Sequence, residues 1–445
     1  MFRKILIANR GEIAVRVIRA AKELGIPTVT VHSEADELSL HTKISDQDVC
    51  IGPALSKDSY LNILSIISAA EITGADAIHP GYGFLSENSK FSSICNDHKI
   101  TFIGPSPEVI DLLGNKAAAR KTMSDCGVPI TPGTGIIQSP GEAVEFAKGA
   151  GYPVIVKAVS GGGGKGMRVA WSEDELINII PIAQGEAKSA FGNPDVYVEK
   201  YLQNPRHIEI QFIADSFGNA VHLGERDCSI QRRHQKLIEE CPSPSLNKDI
   251  RDQMGQAVIK GVKKVGYIGV GTMEFLYDTD GQFYFMEVNT RIQVEHPVTE
   301  LVTSVDIVKE QIRVAMGEKL SFRQQDIEFR GAAIECRINA EDPLFNFMPS
   351  PGKIEEFLVP GGPGIRVDTH AYAGYEIPKY YDSLVAKLLA WGRNREEALA
   401  RMKRALDEFR ISGIKTTIPF HQKMMDNAQF KTGKYSTKFM EDFKM

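Results

Sequence analysis

The sequence predicts a multidomain protein of the mixed α/β and α+β class, and three observations support this. Its 445 residues exceed what one hydrophobic core usually organises, so two or three domains are expected. Residues 4 to 33 have the pattern strand, turn, amphipathic helix, strand, which predicts a βαβ unit. Residues 273 to 288 form two apolar runs around an Asp-Gly pair, which predicts an antiparallel hairpin.

The N-terminal βαβ unit lacks the loop of a dinucleotide-binding site. Such a site needs three spaced glycines in its first turn, whereas residues 9 to 12, NRGE, contain one. Asp36 follows the second strand, but without the phosphate loop a dehydrogenase is not favoured, and we interpret the unit as a scaffold. The Pro- and Gly-rich turn within residues 76 to 88, DAIHPGYGFLSEN, is a candidate site loop.

Residues 152 to 171, YPVIVKAVSGGGGKGMRVAW, predict a strand, a glycine-rich loop and a second strand. Consecutive glycines let backbone N–H groups approach an anion closely, and Lys157 and Lys165 supply positive charge. The loop is not a Walker A motif, because Gly166 follows Lys165 where Ser or Thr is needed, and no helix follows. A flexible linker is the alternative, but the β-rich flanks and the lysines favour a phosphate cradle.

The hairpin of residues 273 to 288 predicts a metal site. A two-residue loop at Asp280 and Gly281 would place Glu274 directly opposite Glu287, where like charges need a cation between them. Two carboxylates and the nearby Asn289 amide suit Mg²⁺ or Mn²⁺ better than zinc. A three-residue loop, which would slip the register by one residue, is the alternative. The two-residue loop also predicts three further cross-strand pairs, namely Thr279 with Gln282, Tyr277 with Tyr284, and Phe275 with Met286.

Residues 285 to 297, FMEVNTRIQVEHP, continue this pattern beyond the hairpin. If the segment is extended, alternate side chains share one face. That face then carries a row of polar groups, namely Glu287, Asn289, Arg291, Gln293 and Glu295. A half-buried strand with a solvated face is the ordinary explanation, but the upstream carboxylate pair favours a functional row.

Composition limits the possible function classes. A net charge of −5 gives no reason to expect nucleic acid or an anionic membrane as a partner. The six cysteines are scattered singly, which suits reduced thiols in a cytoplasmic enzyme and disfavours a zinc site or a disulfide framework. Charges interrupt the N-terminal apolar run, and no run of about 18 uncharged apolar residues occurs, so we expect neither export nor membrane spanning.

Several motifs spread over the chain resemble the biotin carboxylase members of the ATP-grasp superfamily. MEVNTRI and SGGGGKGM alone would indicate only an ATP-grasp enzyme. HPGYGFLSEN, IQVEHPVTE and ECRINAEDP are more specific, and IQRRHQK and PSPGKI fit the same pattern. No substitution breaks a functional motif.

The resemblance also gives names to the expected domains. A helical stretch over residues 104 to 131, with Lys116 near its centre, leads into a new segment, and we place the first boundary near residue 113. A fresh strand at GAAIECRINAEDP places the second boundary near residue 328. The resemblance implies a Rossmann-like N-terminal domain (1–113), an ATP-grasp domain (114–328) with a mobile lid of about residues 130 to 202, and a β-rich C-terminal domain (329–445).

The reaction that the resemblance implies is the carboxylation of biotin. ATP phosphorylates bicarbonate to carboxyphosphate, whose breakdown supplies CO₂ to N1′ of biotin, and two Mg²⁺ or Mn²⁺ ions assist. Relatives that carry their own biotin attach it within a Met-Lys-Met motif, which this chain lacks, so we expect a separate biotin carboxyl carrier protein. A homodimer and separate carboxyltransferase subunits are implied as well.

Acetyl-CoA carboxylase in fatty-acid synthesis is the expected setting of this reaction. A pyruvate or other acyl-CoA carboxylase is the alternative. Two further alternatives belong to other classes, namely another ATP-grasp ligase and a nucleotide-binding module without catalysis. The first would have no use for the pair of Arg337 and Tyr82, and the second could lose Glu295. A requirement of ATP turnover for bicarbonate discriminates both of these from a biotin carboxylase.

Individual roles also follow from the resemblance. It implies that Glu295 is the base that deprotonates bicarbonate and that Arg337 stabilises the biotin enolate. The catalytic set is Glu295, Arg291, Arg337 and Lys236. Bicarbonate is assigned to Lys236, Arg291, Gln293, Val294 and Glu295, biotin to Tyr82 and Arg337, and metal to Glu274, Glu287 and Asn289. ATP is assigned to Lys116, Lys157, Gly162, Gly163, Gly164, Lys165, Gly166, Glu199, Lys200, Leu202, His207, Gln231, His234, Glu274 and Glu287.

Taken singly, some of these residues have ordinary structural explanations. Glu295 alone would be assigned as an exposed salt-bridge partner, and Arg337 as a structural ion pair. His207 and His234 would be assigned as polar or core histidines. Only their place in the shared pattern favours the functional roles.

Overall fold

The computed structural model, which describes residues 1 to 159 and 166 to 445, begins with a parallel sheet. Its strands are β1 (Ile5–Ile7), β2 (Thr28–His32), β3 (Gln47–Cys50), β4 (Ala77–His79) and β5 (Thr101–Phe102). They pair in the order β3-β2-β1-β4-β5. The carboxyl ends of β1 and β4 lie side by side, so the loops that follow them meet at one edge of the sheet.

Helices cover both faces of this sheet. They are α1 (Gly11–Glu23), α2 (Leu40–Ile44), α3 (Ile63–Thr73), α4 (Ser89–Asp97) and α5 (Pro107–Gly114). Ile5 and Ile7 pack with α1, whereas Leu6 packs with α3 and α4, because successive side chains of a strand point to opposite faces. The predicted βαβ unit is confirmed by β1, α1 and β2.

A small antiparallel sheet follows, with two helices packed on it. The helices after α5 are α6 (Lys116–Asp125), α7 (Pro140–Ala150) and α8 (Glu173–Phe191), and the strands are β6 (Val154–Ala158), β7 (Met167–Ala170) and β8 (Val196–Lys200). Strand β6 lies between β7 and β8 and shares an apolar core with α7 and α8. The predicted strands on either side of the glycine-rich loop are confirmed. The loop itself, residues 160 to 165, lies outside the described residues.

The rest of the chain is built on one large sheet. Its strands and the short ones beside it are β9 (Arg206–Ala214), β10 (Ala220–Arg232), β11 (Gln235–Cys241), β12 (Gly269–Tyr277), β13 (Phe283–Asn289), β14 (Ala332–Asn339), β15 (Glu341–Asp342), β16 (Met348–Pro349), β17 (Gly352–Lys353), β18 (Phe357–Leu358), β19 (Ile365–Thr369), β20 (Glu376–Ile377), β21 (Leu384–Gly392) and β22 (Arg410–Ile411). The large sheet has the order β13-β12-β9-β10-β11-β14-β21-β19.

The remaining helices pack on this sheet or close the C-terminus. They are α9 (Lys248–Lys264), α10 (His296–Thr303), α11 (Ile307–Ala315), α12 (Arg395–Glu408), α13 (Ile418–Asp426), α14 (Ala428–Lys431) and α15 (Phe439–Asp442). The proposed boundary near residue 328 falls between α11 and β14. Because β14 pairs with β11, the large sheet continues across that boundary.

The predicted turn of the central hairpin is wrong. The turn has three residues, because the Asp278 N–H donates to the Gln282 carbonyl at 2.8 Å and Phe275 pairs with Phe285. A bulge at Met286 then restores the predicted register, so Glu274 and Glu287 are opposed as expected. Two compensating irregularities therefore give the predicted carboxylate pair. The pairs predicted nearer the turn are wrong.

Two further predictions about local structure need correction. Strand β13 ends at Asn289, and the chain then turns until Glu295, which stands at the start of α10, so residues 285 to 297 are not one extended row. Lys116 begins α6 and is not near the centre of a continuous helix, because Asn115 ends α5 and caps α6 through its side chain.

The mixed α/β and α+β multidomain class is confirmed. Within the described parts of the chain, every helix is too short or too polar to cross a bilayer.

Candidate active site

One large cavity collects almost all the residues singled out in the sequence. Its volume is about 1120 Å³, and side chains from the first parallel sheet, the small sheet and the large sheet line it. All described residues predicted for ATP, metal, bicarbonate and biotin line this cavity, with the exception of Gly166. Gly162, Gly163, Gly164 and Lys165 lie outside the described residues.

The Lys236 ammonium group occupies the centre of this cavity's acidic wall. Its Nζ lies 2.5 Å from Glu209 Oε2, 2.6 Å from Glu295 Oε1 and 3.1 Å from Glu274 Oε1. Burial by itself would lower the pKa of Lys236, but Cys228 and the three carboxylates raise it well above its usual value. Lys236 is therefore a fixed positive charge among three negative ones.

Glu295 is held between two cations. Besides Lys236, the Arg337 Nη2 lies 2.9 Å from Glu295 Oε2. Burial would raise the pKa of Glu295, but Lys236, Arg337 and Arg226 outweigh it and hold the pKa well below the usual range. Glu295 is therefore ionised, which is the state that a general base requires.

Arg337 is fixed from behind by a second carboxylate. Its Nε donates to Glu239 Oε1 at 2.6 Å, and Glu239 is fully buried on β11. The pKa of Arg337 is raised because Glu239 and Glu295 outweigh the effect of burial. The guanidinium is thus aimed at Glu295 and at the cavity.

The carboxylate pair of the hairpin points toward two different sets of partners. Glu274 accepts from Asn289 Nδ2 at 2.9 Å and lies 3.0 Å from His207 Nε2. The half-exposed Glu287 lies 3.3 Å from Lys116 Nζ. Two carboxylates and an amide oxygen on one wall are hard oxygen donors, so Glu274, Glu287 and Asn289 fit Mg²⁺ or Mn²⁺. His207, Glu209 and Glu274 also present ligand atoms within 4.8 Å of one another.

Arg291 is positioned by a residue from the N-terminal part of the chain. Its Nε lies 2.8 Å from Glu87 Oε2, while its Nη2 donates to Asn289 Oδ1 at 3.1 Å. Glu87 Oε1 also accepts from the Thr290 N–H at 3.0 Å. Glu87 thus fixes both the backbone and the guanidinium at the point where the chain leaves β13.

Gln293 and Val294 complete the wall between Arg291 and Glu295. Gln293 Nε2 donates to Glu274 Oε1 at 2.8 Å, and its Oε1 accepts from the fully buried Arg226 at 3.0 Å. The Val294 carbonyl accepts from Lys387 Nζ at 2.8 Å. Although the segment is not a strand, the structure brings its predicted polar side chains together.

The predicted nucleotide residues line the same cavity, and two of them, Glu274 and His207, adjoin Lys236. Lys157 Nζ lies 2.5 Å from Glu199 Oε2, and Arg120 lies 2.7 Å from the other oxygen of Glu199. Lys200 donates to backbone carbonyls of residues 151 and 152. The remaining predicted nucleotide residues that line the cavity are Lys116, Leu202, His207, Gln231 and His234.

Tyr82 faces the cavity from the loop after β4. Its hydroxyl donates to Glu12 Oε1 through a short hydrogen bond. Burial, with the neighbouring Glu12 carboxylate, raises the pKa of Tyr82 well above its usual value, so the phenol stays protonated. The predicted biotin residues, Tyr82 and Arg337, therefore both line this cavity.

Sequence reasoning missed several charged residues that order the site. Most are buried on strands, at positions where alternation predicts apolar side chains. A charged residue at such a position was the signal that could have identified them. Glu87 lies within the motif HPGYGFLSEN and could have been found there. The missed residues are Glu12, Glu87, Arg120, Glu209, Arg226, Glu239 and Lys387.

Comparisons with protein families match the chain in three consecutive segments. Residues 1 to 110 match the biotin carboxylase N-terminal domain, and residues 335 to 442 match the biotin carboxylase C-terminal domain. Residues 115 to 323 match the ATP-binding domain of the carbamoyl-phosphate synthase L chain.

Individual proteins are similar over the whole chain. Biotin carboxylase 1 of Bacillus subtilis is 61% identical over 445 residues, covering 100% of this chain and 99% of that protein. A pyruvate carboxylase subunit of Methanothermobacter thermautotrophicus is 55% identical, with coverage of 100% and 90%. The biotin carboxylase domain of Hydrogenobacter thermophilus 2-oxoglutarate carboxylase, a dimer with MgADP, ADP and bicarbonate, is 52% identical with a TM-score of 0.92, covering 99% of this chain and 98% of that one.

Proposed function

The chain belongs to the biotin carboxylase family of ATP-dependent ligases, and on that premise we propose that it carboxylates biotin carried on a separate protein. ATP and bicarbonate are the co-substrates. The observation that carries this proposal is Glu295, an ionised carboxylate held between Lys236 and Arg337 beside Gln293 and Val294. A base between two cations suits the deprotonation of an anion, because the cations offset the repulsion between base and substrate.

The first step is the activation of bicarbonate. Lys236 and Arg291 bind the anion, and Glu295 accepts its proton, which makes the bicarbonate oxygen nucleophilic enough to attack the γ-phosphorus of ATP. An arriving anion competes with Glu295 for Lys236, which weakens one of the interactions that hold the pKa of Glu295 down. Binding the substrate thereby makes Glu295 a stronger base at the moment when a base is needed.

The second step is the transfer of CO₂. Carboxyphosphate breaks into CO₂ and phosphate, the released phosphate accepts the N1′ proton of biotin, and N1′ attacks the carbon of CO₂. Negative charge then develops on the ureido oxygen, and Arg337, fixed by Glu239, stabilises it. Tyr82 lines the biotin side of the same cavity.

The nucleotide and metal are assigned to the part of the cavity that adjoins the bicarbonate residues, because Glu274 contacts both Lys236 and Gln293. Lys116 and Lys157 bind phosphate oxygens, and Glu274, Glu287 and Asn289 would hold Mg²⁺ or Mn²⁺. Bound there, the ions neutralise charge on the transferred phosphoryl group. The ATP set also includes Gly162, Gly163, Gly164, Lys165, Gly166, Glu199, Lys200, Leu202, His207, Gln231 and His234.

The biological setting is part of the same proposal. We assign the chain to acetyl-CoA carboxylase in fatty-acid synthesis, in the cytoplasm, with a biotin carboxyl carrier protein, carboxyltransferase subunits and a second copy of this chain as partners. Relatives named for pyruvate and 2-oxoglutarate carboxylases support the alternative that the acceptor is a keto acid. The acceptor is set by the carboxyltransferase, so purification with the partner subunits discriminates these settings.

The decisive experiment is ATP hydrolysis by the purified chain with Mg²⁺, measured with and without bicarbonate and free biotin. We expect hydrolysis that requires bicarbonate and increases with biotin. Hydrolysis by folded protein that is indifferent to both would contradict the proposal and leave an ATP-grasp ligase with another substrate. Omission of Mg²⁺, with chelator present, should abolish turnover.

A further inference from the structure

A buried lysine connects the two substrate sides of the cavity. Lys387, on β21, has no exposed side-chain surface. Its Nζ donates to the Val294 carbonyl at 2.8 Å and lies 3.0 Å from Glu12 Oε2. Glu12, in the first turn of α1, accepts a hydrogen bond from the Tyr82 hydroxyl through its other oxygen, Oε1. One chain of contacts therefore runs from Val294 to Tyr82.

The members of this chain of contacts come from distant parts of the sequence. Glu12 and Tyr82 belong to the first parallel sheet and its helices, whereas Val294 follows β13 and Lys387 lies on the large sheet. Val294 and Tyr82 line the cavity, but Glu12 and Lys387 do not. Lys387 and Glu12 therefore act on the site only through the groups that they hold.

We propose that Lys387 is a positioning residue that fixes the Val294 backbone and, through Glu12, the Tyr82 hydroxyl. The bicarbonate side and the biotin side of the cavity are thereby aligned by one buried amine. This inference rests on the proposed function, because it assigns bicarbonate to Val294 and biotin to Tyr82. It extends that function to two residues that touch neither substrate.

The chemistry of the link suits a rigid alignment. A lysine ammonium can serve two neighbours at once, and here it donates to the Val294 carbonyl and forms an ion pair with the Glu12 carboxylate. Burial lowers the pKa of Lys387, but the Glu12 and Asp368 carboxylates raise it, the net direction is upward, and the group stays charged. Hydrogen bonds from a charged donor are shorter and stronger than neutral ones, and a buried pair is poorly screened by salt.

The ordinary alternative is that Lys387 and Glu12 form only a structural ion pair. A purely structural pair would lower the folded fraction, and with it the apparent kcat, but would leave every KM unchanged. A positioning pair would change the apparent affinities for bicarbonate and biotin while leaving that for ATP in place, since neither Val294 nor Tyr82 is assigned to ATP. The pattern of KM changes therefore separates the two explanations.

The test uses the full chain and bicarbonate-dependent ATP hydrolysis, at varied bicarbonate, free biotin and ATP. Lys387→Met leaves Glu12 buried without its partner and can unfold the protein, so the double variant Glu12→Gln with Lys387→Met is made as well, which removes both charges together. In the double variant we expect the KM for bicarbonate to rise about tenfold or more, because the charged hydrogen bond to the Val294 carbonyl is lost. The KM for ATP should stay within about twofold of wild type.

The single variant Glu12→Gln separates the two ends of the link. It leaves the contact between Lys387 and Val294 but weakens the support of Tyr82, so the KM for biotin should rise while that for bicarbonate changes little. The matched control is Lys403→Met, which removes a lysine from an exposed ion pair with Asp426 outside the cavity. That control should match wild type in every constant.

Two outcomes overturn the inference. The first is that the KM values of the double variant for bicarbonate and biotin stay within about twofold of wild type. The second is that kcat falls while every KM is unchanged. If wild-type protein shows no dependence on bicarbonate, the proposed function fails, which is a different result. Circular dichroism and thermal unfolding verify that each variant is folded.

Discussion

Glu274 and Glu287 lie directly opposite each other on β12 and β13, although a three-residue turn joins the strands. The bulge at Met286 offsets the extra turn residue, so the two carboxylates stay in register. Without that bulge, a slip of one residue would move Glu287 and Asn289 to the opposite face. The local irregularity therefore keeps the proposed metal ligands on the wall of the cavity.

Charge reversal at Glu287 tests this arrangement. Glu287→Lys removes an oxygen donor and places a second cation beside Lys116, so we expect metal-dependent ATP turnover to fall about a hundredfold or more. Because the Glu287 side chain is 39% exposed, stability should change little. The control is Asp280→Lys, a charge reversal in the exposed turn of the same hairpin. Turnover by Glu287→Lys close to that of the control would contradict the metal assignment.

Removal of the proposed base should stop the chemistry without stopping nucleotide binding. Glu295→Gln keeps the shape of the side chain but cannot accept the bicarbonate proton, and we expect kcat to fall about 10²- to 10⁴-fold. Lys236 retains Glu209 and Glu274 as partners, so ATP should still bind with its original affinity. The measurements are steady-state hydrolysis and nucleotide titration. A kcat within about tenfold of wild type would exclude Glu295 as the base.

Glu87 should control the affinity for bicarbonate through Arg291. Glu87→Ala frees the guanidinium and the Thr290 N–H, which Glu87 holds at 2.8 and 3.0 Å. We expect the KM for bicarbonate to rise by about tenfold, because a charge-assisted contact that orients Arg291 is lost. Glu71→Ala, which breaks an exposed pair with His98, is the control. An unchanged KM for bicarbonate would show that Arg291 needs no such support.

Arg337 should matter more for biotin than for ATP. Arg337→Ala removes the charge that faces the developing enolate and leaves Glu239 buried without a partner. We expect biotin-stimulated turnover to fall about a hundredfold while ATP affinity is retained. Equal loss of both, in folded protein, would count against the assigned role. Arg337→Lys keeps the charge and should recover part of the activity.

Glu335 makes the stability of the fold depend on pH. It lies opposite Glu239 on the neighbouring strand, and among the residues that the structure describes, neither of its buried oxygens has a hydrogen-bond partner. Burial, despite the opposing charge of Lys387, raises the pKa of Glu335 well above 4.5. The folded state therefore binds a proton that the unfolded state releases, and stability is lost as pH rises above the unfolded pKa.

The variant Glu335→Gln should remove this dependence. Its free energy of unfolding should exceed that of wild type by an amount that grows between about pH 5 and pH 8. Urea unfolding at several pH values measures this difference. A difference that is constant over that range would show that Glu335 has an ordinary pKa.

Local sequence patterns were enough to predict much of the fold. Side-chain periodicity identified β1, α1 and β2, and the strands on either side of the glycine-rich loop. The same reasoning failed at the hairpin turn, where one additional loop residue changes which residues pair across the strands. The Asp-Gly pair favours a two-residue turn, but the pairing of Phe275 with Phe285 in a large sheet overrides that preference.

The motifs by themselves predicted which residues share a site. Motif resemblance identified Arg291, Gln293 and Glu295 as one functional group, and these side chains do line one cavity. The physical route was different from the predicted one, because the chain leaves the strand at Asn289 and Glu295 begins a helix. Alternation along a strand therefore grouped residues that do line one cavity, but for a partly wrong geometric reason.

Only the tertiary structure decided how these groups are held. Glu87 contacts Arg291 across 204 residues of sequence, and Lys387 contacts Val294 across 93, and no local pattern records such contacts. The pKa of Glu295 likewise depends on groups that are distant in sequence, because the strength of an electrostatic interaction depends on the distance between charges in space. The sequence by itself determined the chemical groups and the family, and folding determined their charges, orientations and supports.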